Sequence, residues 1–297
     1  MKIHKNSIKD STGERIFTVV NTIFMILLSI IFVYPLYYVA VASFSNSNML
    51  LVNGNKMLLF PMQFTLEAYK RVISYRMIWT GYRNTAFIVV VGTAISLALT
   101  IMGAYFMTRK GLAGQKVFSK FVIFTMFFSG GMIPFYLTVR GVGLLDSIWS
   151  LILSTAINTY NMIVMRTAFY SVPHELVEAS ELEGANEFII LWRILVPVTV
   201  PTIMVLLLYY AVSYWNGWFY AMIFISDKTK WPLQLLLRQI LIEGTDKMNN
   251  GVSAESQQYA ETLKYAVIMV SVLPMLAIYP FIQKYFMKGV MVGAVKG

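Results

Sequence analysis

The sequence predicts an all-α integral membrane protein of six transmembrane helices, and three observations carry that prediction. Hydrophobic residues fill 58% of the 297 positions and only 13% are charged, against roughly 45–50% and about 25% in soluble domains. The apolar residues gather into six blocks near 16–44, 84–107, 119–139, 147–165, 201–225 and 263–283, most of them close to the ~20 residues of helix that cross a hydrocarbon core. All 14 Asp and Glu residues lie outside those blocks. Backbone polar groups must be satisfied within the segment in lipid, so each block reads as a helix.

The elements follow in order. Residues 1–15, MKIHKNSIKDSTGER, form a basic polar segment. The block behind it is longer than the apolar core of a signal peptide and lacks a small-residue cleavage site, so it reads as a retained first span. The third block is interrupted by Gly130, Gly131 and Pro134, and the fourth is the shortest. The spans occupy 16–283, and a polar tail, 284–297, follows. Six spans place both termini on one side. With that side taken as cytoplasmic, the inner segments hold 13 Lys and Arg and the outer loops 10, Lys264 standing at the edge of span six. That excess leans towards cytoplasmic termini.

Composition also excludes chemistry. Cysteine is absent and the two histidines, His4 and His174, are too few for a histidine metal site, so no metal or thiol centre is expected. The net charge of +10 suits anionic lipid headgroups better than nucleic acid. Ion-coupled carriers commonly bind the coupling ion on intramembrane carboxylates, and none lies in a block. No GxxxxGK[ST] phosphate loop occurs either. A solute pathway driven by a partner fits better than a self-sufficient carrier or an enzyme.

The loop between spans four and five, 171–201, reads SVPHELVEASELEGANEFIILWRILVPVTVP and holds five of the 14 acids. Ser171 can cap a helix whose first turn holds Pro173 and Glu175. Gly184 permits a tight turn into a second short helix carrying Phe188, Ile189, Leu191 and Trp192, and Pro197 and Pro201 flank the entry to span five. On amphipathicity alone the loop is a helix–turn–helix at a membrane face, with or without a partner.

Its spacing is more specific. Glu178-Ala179-Ser180, three residues, Gly184, nine residues, then Ile194-x-Val196-Pro197 resembles the EAA signature of binding-protein-dependent ABC importer permeases, departing from it at Ser180 and Val196. The stretches FSGGMIPFYLTVRGVGLLDSIWSLIL (128–153), YWNGWF (214–219) and KYFMKGVMVGAVKG (284–297) resemble carbohydrate permeases of the maltose type, in the MalG-like branch of the LplC and YtcP proteins. The resemblance implies a MetI-like permease core over about 80–283, in a multi-pass protein of the bacterial cytoplasmic (inner) membrane with both termini cytoplasmic. It implies a second homologous permease subunit, two cytoplasmic ABC ATPase subunits and an extracytoplasmic solute-binding protein. ATP and Mg would be bound by the ATPase, leaving this chain without a cofactor. Glu178, Ala179, Ser180, Gly184, Ile194 and Pro197 would form the coupling loop. The outer loop 226–262, with its turn-rich GTDKMNNG, would meet the binding protein, and the tail would reach towards the ATPase dimer. The expected cargo is a sugar, an oligosaccharide or polysaccharide fragment; an importer of peptides or amino acids would share the EAA pattern.

Polar residues on the spans that flank the loop are candidates for the solute path. Ser154, Asn158 and Asn161 share a helical face by spacing. Tyr209, Ser213, Asn216 and Tyr220 form one stripe in span five, with Trp215 and Trp218 beside it. Such groups suit sugar hydroxyls and C–H faces. The same residue types also join neighbouring helices and form interfacial belts.

Overall fold

The computed structural model describes residues 11–54, 56–109, 111–249 and 262–278, and every regular element among them is helical. The chain divides into two compact units, Met1–Val72 with Gly244–Met269 and Ile73–Glu243 with Val270–Gly297.

In the first unit, α1 (Thr12–Ser43) opens with a capping box. The Ser11 hydroxyl accepts from the Glu14 N–H, and the Glu14 carboxylate accepts from the Ser11 N–H at 2.7 Å. Such reciprocal bonds satisfy two of the donors that a helix start leaves unpaired. The hydroxyls of Thr18, Thr22 and Ser29 donate to carbonyls four residues back, which lets them sit in an apolar helix. Only its last turn is buried, where Val41 and Ala42 pack with Leu50 of α2 (Ser47–Asn53) and with Leu58. In α3 (Glu67–Ser74), Arg71 pairs with Glu67 at 2.7 Å.

The second unit is organised around α4 (Arg76–Thr108). Then come α5 (Gln115–Phe127), α6 (Met132–Gly141), α7 (Ile148–Leu153), α8 (Thr159–Tyr170), α9 (His174–Leu182), α10 (Glu187–Ile189), a π-helical turn (Ile190–Leu195), α11 (Val196–Val198), α12 (Val200–Trp215) and α13 (Phe219–Phe224). α14 (Leu233–Asn249) and α15 (Thr262–Ile278) complete the described chain. α4 meets α12 along small and polar residues. Ser96 shares a hydrogen bond of 2.9 Å with the Tyr214 hydroxyl, and Thr100 one of 2.7 Å with that of Tyr210. The Tyr214 hydroxyl also lies 3.2 Å from the Ile152 carbonyl. Gly92 lies directly beneath the Tyr214 ring. Where apolar burial gives little drive, close approach and interhelical hydrogen bonds of this kind hold helices together.

Three expected spans are not continuous helices. The third block is α5 and α6, separated by residues 128–131, where Gly131 takes φ +84°. The fourth is α7 and α8, and the fifth is α12 and α13, parted at Asn216–Trp218. By length and composition, α1 and α4 can each cross a membrane; Glu187–Val198 with Val200–Trp215, bent by 84°, would make a third span. The turn expected at GTDKMNNG is also corrected over residues 244–249, which continue α14. No proline interrupts that stretch, and its weak helix formers other than Gly cost at most about 0.7 kcal/mol per residue, too little to break an established helix.

A polar knot joins the segments before α7 and after α13. Asp146, held at φ +55°, accepts from the Ser226 and Asp227 N–H groups at 3.1 and 3.0 Å. Lys230 lies 3.2 Å from its carboxylate and 3.5 Å from that of Asp227. Hydrogen bonding from the Asp227 backbone, then from Lys230, holds the Asp146 carboxyl below its ordinary range. The bond to Asp146 raises the Lys230 ammonium. A depressed carboxyl contributes stability that is complete above its unfolded value and is lost as pH falls through the folded one. A raised lysine contributes stability that is complete below its unfolded value and is lost as pH rises through its folded one. The Ser226 and Asp227 amides should therefore keep constant protection from hydrogen exchange between about pH 5 and 9, and lose it below about pH 4. Asp146→Asn should remove the acid step; an unchanged acid step in that variant would assign it elsewhere.

Candidate functional site: a polar cavity and a helix–turn–helix

The first candidate region is a cavity of about 380 Å³ between α6, α7, α8, α12 and α13. Asn158, Asn161, Tyr209, Ser213 and Tyr220 line it together with Ser154, Thr155, Phe135, Tyr210 and Tyr214. Six of the nine residues singled out in the sequence thus meet in one place, and no lining side chain is Asp, Glu, Lys, Arg or His.

They converge by a different route from the one that spacing suggested. Ser154, Asn158 and Asn161 do not share one helix. Ser154 closes α7 and donates back to the Ser150 carbonyl. Asn158 caps α8 by accepting from the Asn161 N–H at 3.0 Å. Asn favours a helix N-terminus over a helix interior because its short amide competes for backbone groups, and here it restarts the helix. Asn161 is 5% exposed. Tyr210 and Tyr214 are pinned to α4 through Thr100 and Ser96, whereas Tyr209 and Tyr220 are substantially exposed.

Three fall outside the lining. Asn216 is the exposed residue that ends α12, its N–H bonded to the Val212 carbonyl. Trp215 packs towards Tyr82, with ring centroids 6.4 Å apart. Trp218 lies under the Arg238 guanidinium at 4.4 Å, a cation–π contact. The span-five stripe is not one continuous helix: α12 stops at Trp215 and α13 starts at Phe219, and Asn216 between them falls outside the cavity that Tyr209, Ser213 and Tyr220 line.

The second region is the helix–turn–helix at 171–201. α9 begins at His174 with no side-chain cap. Ser171 instead ends α8, its hydroxyl donating to the Ala168 carbonyl at 2.7 Å. Pro173 disfavours helical geometry at the residue before it, so the new helix starts beyond the proline. At the far end the Ala185 N–H donates to the Ser180 carbonyl at 2.9 Å and the Gly184 N–H to the Glu181 carbonyl at 3.0 Å. This is a Schellman ending with Gly184 at φ +82°.

Asn186 caps α10 through the Ile189 N–H at 2.9 Å. The Val196 N–H then reaches five residues back to Leu191. Pro197 cannot donate to the Arg193 carbonyl, and its ring crowds that group, which accounts for the widened turn. Ile194 is half-buried against the core formed by Leu191 and Leu195. Across the turn, Glu178 and Ala179 are exposed and α9 buries no residue. Glu178 lies 3.7 Å from His174, with both side chains in the open. Leu182 is 90% exposed, so α9 presents Ala179 and Leu182 in the open, with Glu178 beside His174.

Sequence reasoning missed the residue that joins this loop to α4. Arg109, directly after α4, donates to Glu181 at 2.5 Å and to Glu187 at 2.6 Å. The Tyr105 hydroxyl bonds the other oxygen of Glu187. The available signal was the excess of acids in 171–201, which asks for a cation from elsewhere.

Comparison with known proteins settles the class. Residues 1–292 match the family described as binding-protein-dependent transport system inner membrane component. The chain belongs to that family. It is a non-catalytic membrane permease subunit of an ABC importer, and the ATPase of such a system is a separate partner. Among similar proteins of this kind, the polygalacturonan/rhamnogalacturonan transport system permease protein YtcP of Bacillus subtilis (strain 168) is 40% identical, the alignment covering 96% of this chain and 99% of YtcP. Protein LplC of the same organism is 39% identical over 98% and 99% of the two chains. Among solved structures, a chain from a bacterial ABC transporter involved in import of the acidic polysaccharide alginate aligns with TM-score 0.83 and 33% identity, covering 93% of this chain and 99% of that one.

Proposed function

We propose that this chain is one of two permease subunits of an ATP-driven sugar importer whose cargo is an oligosaccharide or polysaccharide fragment. The observation that carries the reading is the cavity between α8 and α12, flanking the EAA loop, with Asn, Ser, Thr and Tyr as its polar lining. Amide and hydroxyl groups match sugar hydroxyls, and exposed Tyr209 and Tyr220 offer flat faces for C–H contact. The near full-length likeness to a permease named for polygalacturonan and rhamnogalacturonan supports the same class.

In this reading six spans cross the cytoplasmic membrane, the broken helices counting as interrupted spans, with both termini inside. A second permease completes the passage, two ATPases bind ATP and Mg, and an external binding protein delivers the sugar. Glu178, Ala179, Ser180, Gly184, Ile194 and Pro197 belong to the element that docks on the ATPase. The tail proposed to reach the ATPases, 284–297, and most of the second half of outer loop 226–262 lie outside the described residues.

The test is uptake by proteoliposomes holding the whole importer, with labelled oligogalacturonides, maltodextrins and peptides offered in turn. ATP-dependent uptake of a saccharide and not of peptides supports the reading; peptide uptake alone contradicts it. In the same assay Asn161→Ala should lower saccharide uptake by about tenfold, because a buried polar group contributes roughly 1–3 kcal/mol where it meets its partner. Asn216→Ala, outside the cavity, should change it little. The reverse order would place the path elsewhere.

A further inference from the structure

The EAA pattern does not contain Arg109, yet this one side chain touches both arms of the helix–turn–helix. Its Nη2 atom lies 2.5 Å from Glu181 on α9 and 2.6 Å from Glu187 at the start of α10. Its backbone N–H returns to the Tyr105 carbonyl at 3.3 Å, which fixes Arg109 as the closing residue of α4. Tyr105 adds its hydroxyl to Glu187 and lays its ring 5.8 Å from the guanidinium. The Arg109 side chain is 20% exposed while the two carboxylates are about half exposed. A cation anchored in the body of the unit therefore holds two acids that project from the loop.

The placement has a mechanical consequence. The Schellman ending at Gly184 sets the local turn, but a single glycine at φ +82° leaves the angle between α9 and α10 free to vary. Glu181 and Glu187 stand on opposite sides of that glycine, so a cation that grips both closes the angle. The same cation ends α4, whose Gly92, Ser96 and Thr100 carry the contacts to the tyrosines that line the cavity.

We propose that Arg109 is a positioning residue, a strut that locks α9 to α10 and both to α4 so that a push on α9 moves the helix behind the cavity. This rests on the reading of α9 as the ATPase-docking helix. A guanidinium suits the task because its Nη2 holds two N–H donors in the guanidinium plane, one for each carboxylate, at fixed angles that a freely rotating lysine ammonium does not reproduce.

The chain has no cysteine, so Met102→Cys and Leu182→Cys introduce a unique pair of sites for spin labels, both on exposed positions. Their distance distribution in the assembled importer should be narrow with Arg109 and should broaden in Arg109→Gln. Couplings between sites are typically 5–150-fold, so the sugar carried per ATP hydrolysed should fall by about tenfold in that variant. Arg109→Lys should recover part of both. A purely structural ion pair would lower the yield of importer and leave the sugar-to-ATP ratio of the surviving complexes unchanged, which would overturn the proposal. So would an unbroadened distance in Arg109→Gln. The pair Glu181→Gln with Glu187→Gln removes the same contacts from the exposed side and serves if Arg109→Gln does not assemble. The distance reads the strut in the chain itself, whereas failure of the unaltered importer to hydrolyse ATP would strike the docking reading.

Discussion

Gly92→Ala is expected to disrupt the protein more than any other single methyl addition at a described glycine. An added Cβ would lie 2.8, 2.9 and 3.0 Å from three atoms of the Tyr214 ring. The ring cannot give way readily: Tyr214 is 7% exposed and its hydroxyl is engaged by Ser96 and the Ile152 carbonyl. Overpacking of this kind costs about 1–3 kcal/mol, and a hydrogen bond lost with the displaced hydroxyl about 1 more. Gly103→Ala is the matched control. Its Cβ would meet Met162 Cε at 2.7 Å and Sδ at 2.9 Å, the far end of a flexible thioether that can swing aside. Thermal unfolding in detergent should show a clear drop for Gly92→Ala and a small one for Gly103→Ala. Equal effects would mean that the α4–α12 contact is looser than its geometry.

Gly184→Asp should act on coupling more than on folding. Among the described residues nothing lies within 4 Å of a Cβ built at Gly184, so no clash with them follows, and the cost is the left-handed backbone, about 1–2 kcal/mol for a residue with a side chain. That penalty pushes the chain to release the bonds from Ala185 to Ser180 and from Gly184 to Glu181, which turns Glu178, Ala179 and Ser180 away from their set direction. ATP hydrolysis should persist while sugar uptake falls severalfold. Gly184→Asn, the residue that best tolerates this conformation after glycine, should retain more uptake, and Gly184→Val least. The order Asn above Asp above Val checks the cause, and normal uptake by Gly184→Asp would count against a docking role for this loop.

The loop was legible because its signals are local. Pro173, Pro197 and Pro201 restrict their own backbone or that of an adjacent residue, Gly184 admits a left-handed turn, and the structure places turns or bends beside each of them. The cavity was legible in its membership and not in its construction. Asn158 looks like a face residue when helix is assumed throughout, and only the resolved cap reveals a new start. The break between α5 and α6 could be read from Gly130, Gly131 and Pro134, whereas the stop at Asn216 follows an apolar run whose one proline, Pro201, stands at its start. Arg109 was not legible at all, since its partners lie 72 and 78 residues away. Hydrophobic periodicity cannot see such a contact. Charge excess can raise the question without naming the partner.

The most direct test of the central claim is to purify the chain from its native membrane in mild detergent and identify what accompanies it by mass spectrometry. The account predicts a second permease and an ABC ATPase in constant proportion, the ATPase lost and the second permease retained when Gly184 is replaced by Val. Recovery of the chain alone, still moving solute in liposomes without ATP, would contradict it.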